Sequence, residues 1–70
     1  MTPIRMLNNI ESDIDRLLKN RAIMFEWLDK EPKNTQMYQS VNSKIANNTK
    51  QISELRIKWR NVRAQYITRH

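Results

Sequence analysis

The chain contains no cysteine and no glycine, only two prolines and one histidine, and no apolar run longer than Ala22-Ile23-Met24-Phe25. Each absence removes a class of protein. Without cysteine there is neither a disulfide framework nor a thiolate metal site, and nothing ties the chain to an oxidising compartment. Without glycine there is no glycine-rich loop to cradle a phosphate. The longest apolar run falls far short of the ~20 residues of a membrane span, and the N-terminal stretch carries polar and charged residues where a secretory signal would be apolar. The expectation is a cytoplasmic protein with no membrane span.

Chemistry is sparse as well. The lone histidine is His70, the last residue, and no nucleophile–base or metal-ligand spacing appears. Glu11, Asp13 and Asp15 lie close in sequence, but Asp13 projects from a helix in a direction different from the other two and no histidine accompanies them, so they read as a solvated face. The sequence therefore predicts a non-enzyme without cofactor or metal.

What the chain does have is periodicity. Tyr38, Val41, Ile45, Asn48, Ile52, Leu55, Trp59, Val62, Tyr66 and Arg69 recur at alternating steps of three and four, an a/d heptad seam uninterrupted by proline. Leu7, Ile10, Ile14, Leu17, Arg21, Met24 and Leu28 form a second such seam earlier in the chain. Thr2-Pro3 suits a helix start, Glu31-Pro32 breaks the pattern, and Asn34 or Thr35 can cap a new helix. The layout predicted is a single domain over residues 1–70, with a helix over about 3–30, a turn over about 31–35 and a helix over about 35–68.

Folded back antiparallel, the seams match layer for layer, from Leu28 with Tyr38 at the turn to Leu7 with Trp59 at the far end. This predicts an all-α fold, an antiparallel two-helix hairpin of coiled-coil type. Arg21 and Asn48 fall in adjacent layers, and the register suggests that the Asn carbonyl accepts from the guanidinium. On the flanks the same register sets Glu11 beside Arg56 as a surface ion pair and Trp27 beside Met37.

Seventy residues rarely bury enough to supply more than roughly 3 to 5 kcal/mol of net stability, so completion by a partner or a second copy is expected. Leu18 and Phe25, joined around the first helix by Ile23 and Trp27, lie outside the internal seam, and Tyr66 and Ile67 overrun the end of the first helix. These six are the candidate partner-binding residues, because exposed apolar patches mark binding surfaces.

Charge is distributed unevenly. Residues 1–31 hold five Lys/Arg against six Asp/Glu, a balance of −1, and residues 32–70 hold eight against one, a balance of +7. Arg56, Arg60 and Arg63 form one stripe near the C-terminal end, with Trp59 and Tyr66 adjoining. Such a stripe can contact nucleic acid or an acidic partner, or it can simply solvate a long helix.

Thr35-Gln36-Met37-Tyr38-Gln39 comes after a proline-containing turn and leads into a helix with Ile45-Ala46 and Ile52. Over Asn34 to about Leu55 this resembles the Gln-Tyr-Gln segment that opens the second helix in the small co-chaperones of type III secretion needle subunits, which are also cysteine-free helical hairpins. The resemblance implies a scaffold in virulence-associated secretion that docks to a tetratricopeptide-like helical-repeat chaperone, the two together holding the needle subunit monomeric in the cytoplasm. Abundant Asn, Ile and Lys suit an AT-rich gene of an acquired secretion island, and equally a phage gene. Beside this stand two alternatives: a homodimer in which two hairpins form a four-helix bundle, and a basic hairpin that binds nucleic acid.

Overall fold

The computed structural model describes residues 2–69, with side-chain exposure for residues 2–67. Two helices make up the molecule, α1 (Pro3–Lys30) and α2 (Gln36–Arg69), packed against each other along an antiparallel seam. His70 and the side chain of Arg69, the last position of the expected seam, lie outside the described residues.

Each helix start is fixed by a threonine. Thr2 is extended (φ −73°, ψ 151°), its hydroxyl accepts from the Arg5 N–H at 3.3 Å, and Pro3 occupies the first turn, where a missing N–H costs nothing. Thr35 accepts from the Tyr38 N–H at 3.1 Å and donates its own hydroxyl to the Pro32 carbonyl at 3.0 Å. One side chain thus caps α2 and closes the turn. Between the caps, Glu31 leaves the helical region (φ −101°, ψ 146°), as the residue before a proline is driven to do.

The core is a single file. Ile10, Leu28, Ile45 and Ile52 are the buried apolar residues among those described, Ile52 the most enclosed at 2 % exposure, and Asn48 is buried with them at 7 %. All five belong to the two heptad seams. With no third layer, each helix leaves two flanks open, and the molecule is a rod of 54 × 15 × 14 Å.

The polar layers differ from the expected arrangement. Asn48 Nδ2 donates to the Leu17 carbonyl at 3.0 Å, Arg21 Nη1 donates to Thr49 Oγ1 at 3.2 Å, and Asn48 Oδ1 has no partner. Arg21 and Asn48 are therefore not paired. A guanidinium on a long stem swings to the rim, where water and Thr49 solvate it, whereas the short amide stays in the seam and reaches only the backbone across from it. Glu11 also departs from expectation. Its carboxylate accepts from Trp59 Nε1 at 3.0 Å, and among the described residues no ion pair joins it to Arg56. The half-buried indole N–H needs an acceptor, and Glu11 is the one its position offers.

Candidate functional site

The two open flanks of the hairpin are unlike each other. Ile4, Glu11, Leu18 and Phe25 are spaced by seven on α1, so they share one side of the helix just off the seam. Across from them on α2, the same register places Arg63, Arg56, Thr49 and Asn42. The Trp59–Glu11 hydrogen bond and the Arg21–Thr49 hydrogen bond both cross on this flank. Phe25 is 50 % exposed and Ile4 53 %, and Leu18 is half-buried.

Near the N-terminal end of α1, this flank opens into a cleft of about 140 Å³ lined by Glu11, Ile14, Arg56, Trp59 and Arg60. Its rim carries the arginine stripe. Arg56, Arg60 and Arg63 are all exposed, and the Arg63 guanidinium carbon stands 5.4 Å from the centre of the Trp59 ring. That distance suits a cation–π contact, so Trp59 is held at its edge by Glu11 and over its face by Arg63.

Ile23 and Trp27 lie elsewhere. At ~100° per residue they project roughly 140–180° away from Leu18 and Phe25, so the structure divides these four candidates between the flanks. Ile23, 63 % exposed, lines a broader groove of about 400 Å³ with Met24, Lys44 and the amides of Asn20, Asn47, Asn48 and Gln51. Uncharged amides dominate this groove, and farther along the same flank Asp13, Arg16, Glu54 and Lys58 bring charges of both signs. Trp27 is half-buried near the turn, and Met37, its expected neighbour, is 62 % exposed.

At the far end Ile67 is 58 % exposed, but Tyr66, expected to be uncovered, is half-buried and makes a contact within the chain. A helical side chain leans toward the N-terminus of its own helix, a direction that favours cover for Tyr66 near the end of the hairpin. Ile57, on the outer face of α2 and 58 % exposed, was not among the sequence candidates because it stands alone between polar neighbours.

Among the described residues no cluster of three or more His, Asp or Glu side chains could hold a metal ion, and no helix is long and apolar enough to cross a membrane. No family model matches the chain, and neither does any curated protein or solved structure.

Proposed function

We propose that the chain is a non-catalytic binding module, a helical hairpin that acts by lending its open flank to the helices of a protein partner. The supporting observation is the row Ile4, Leu18 and Phe25, which shares one side of α1 while the hairpin offers only Asn42, Thr49 and arginines beside it. Fully covering a Leu or Phe side chain is worth roughly 1.5 to 3 kcal/mol, of which a half-exposed residue has about half still to gain. A third helix laid along the flank supplies that cover; two helices cannot.

The finer form of the proposal rests on the segment Thr35 to Gln39 and its resemblance to the needle-subunit co-chaperones. In that form the partner is a helical-repeat chaperone, and the pair keeps a secretion subunit from assembling early. The experiment is purification of the untagged protein from its native host in parallel with Leu18→Ala/Phe25→Ala and with Ile52→Ala. The proposal expects a helical protein to accompany the wild type and to be lost with the double variant, which keeps its helix content by circular dichroism. If the same partner accompanies the double variant at undiminished yield, the flank is not the docking face. If that partner is not a helical-repeat protein, the co-chaperone form is wrong.

A further inference from the structure

Resting on that reading, we infer that the occupant of the Ile4–Phe25 flank is an acidic amphipathic α-helix of another protein. The flank is polarised along its length. Toward the turn it presents Leu18 and Phe25 beside Asn42, Thr49 and the one guanidinium of Arg21, and toward the other end it presents Ile4 and the Trp59 cleft lined by Arg56 and Arg60, with Arg63 over the Trp59 ring. Glu11 is the one acid facing that rim from α1, and it accepts from the Trp59 N–H. The local balance is therefore strongly positive around an apolar row.

A helix that fits has apolar residues at heptad spacing along one stripe and carboxylates flanking the stripe at the end that meets the arginines. From Ile4 to Phe25 the row is about 32 Å long, so about 22 residues, or six turns, cover it. Guanidinium groups pair with carboxylates through charge-assisted hydrogen bonds, and the Trp59 cleft takes one apolar side chain between them.

Charge decides among occupants. A second copy carries +6 and brings another basic α2 to the interface, so two copies repel where an acidic helix is attracted. Nucleic acid suits the arginines but leaves Leu18 and Phe25 uncovered, and Trp59 is already engaged at its edge by Glu11 and over one face by Arg63, which suits it poorly to stack on a base. An acidic helix satisfies both the cations and the apolar row.

The test uses three synthetic peptides of about 22 residues, each with leucines at heptad spacing and differing only in flanking residues: Glu, Gln or Lys. Binding of each labelled peptide to the full chain is followed by fluorescence anisotropy, and the chain's own mass by sedimentation. The Glu peptide is expected to bind about tenfold tighter than the Gln peptide, the yield of two or three partly exposed ion pairs, and the Lys peptide most weakly. Arg56→Gln/Arg63→Gln removes the preference for Glu over Gln, and high salt does the same in the unmodified protein, which guards against a variant that merely folds badly. Leu18→Ala/Phe25→Ala weakens all three peptides alike.

Equal binding of Glu and Gln peptides overturns the acidic partner while leaving helix docking intact. Self-association that excludes every peptide overturns it in favour of a second copy. A 20-mer oligonucleotide that displaces the Glu peptide overturns it in favour of nucleic acid, and failure of all three peptides to bind overturns it outright.

Discussion

Asn48 shows how a polar residue sits inside so thin a core. It is 93 % enclosed by the two helices, since 7 % of its surface remains exposed, and one amide hydrogen reaches the Leu17 carbonyl while Oδ1 goes unmatched. A buried acceptor without a partner costs about 1 to 3 kcal/mol, against about 1 kcal/mol for the hydrogen bond that is made. The layer is therefore held below what an apolar residue of similar size offers. Asn48→Leu should raise unfolding free energy by about 1 to 2 kcal/mol in urea titrations, with the slope unchanged. A destabilised variant would mean that the Leu17 contact outweighs the orphaned oxygen. The same substitution removes one of the two cross-helix hydrogen bonds at the middle of α2, the other being Arg21 to Thr49, so it should also loosen pairing specificity.

At the scale of elements, the caps and the seam contribute in different ways. Thr35 both caps α2 and ties the turn to Pro32, so Thr35→Ala should cost about 1 to 2 kcal/mol, with Thr35→Ser restoring most of it, as read from thermal melts. Equal melts for the Ala and Ser variants would show that packing, not capping, sets the start of α2. Ile52 is the most enclosed side chain, and Ile52→Ala should cost roughly 2 to 5 kcal/mol, close to the whole net stability of a chain this small. Helical signal largely lost at 25 °C is the expected outcome; a cooperative melt displaced by only a few degrees would mean that other layers carry the hairpin.

The two-helix fold was legible because periodicity and breakers act locally. Glu31-Pro32 cannot continue a helix, Thr35 can start one, and seam residues at steps of three and four leave few ways to fold back. The side-chain partners were not legible for the same reason. Register brings Arg21 and Asn48 into adjacent layers, and Glu11 level with Arg56, but where a long stem turns depends on rim solvation and on which donors nearby lack acceptors. The candidate flank was half legible: spacing by seven places Leu18 with Phe25, whereas the Trp59 cleft depends on the Glu11 and Arg63 contacts that fix the indole. The resemblance behind the co-chaperone proposal runs over Asn34 to about Leu55, and its motif, Thr35 to Gln39, lies at the start of α2, remote from that cleft.

On the scale of the whole molecule, a rod 54 Å long carries a charge of +6, concentrated on one helix. Residues 32–70 hold +7 against −1 over residues 1–31, so attraction between α1 and α2 is too small to offset repulsion within α2. Arg56 and Arg60 are like charges at i, i+4, and Arg60 and Arg63 at i, i+3, spacings that each destabilise a helix by a few tenths of a kcal/mol, about 0.2 to 0.5. Opposing them are the exposed pairs Arg16–Asp13 at 3.6 Å and Lys19–Asp15 at 3.1 Å, which contribute no more than that each. Local terms nearly cancel, and the long-range self-repulsion of the cationic half remains. Salt screens that repulsion, with the Debye length falling from about 30 Å at 0.01 M to about 8 Å at 0.15 M. The isolated protein should therefore melt several degrees higher at about 0.15 M NaCl than at about 0.01 M. Chloride is the right anion, because sulfate strengthens apolar burial by itself and would mimic the effect. Arg56→Gln/Arg60→Gln should raise the low-salt melting temperature and flatten its salt dependence, since it removes the like-charge pair that salt would otherwise screen. A melting temperature that falls as NaCl is added would show that the two α1 ion pairs and cross-helix attraction outweigh self-repulsion, and the isolated hairpin would then have no net self-repulsion for an acidic partner to relieve.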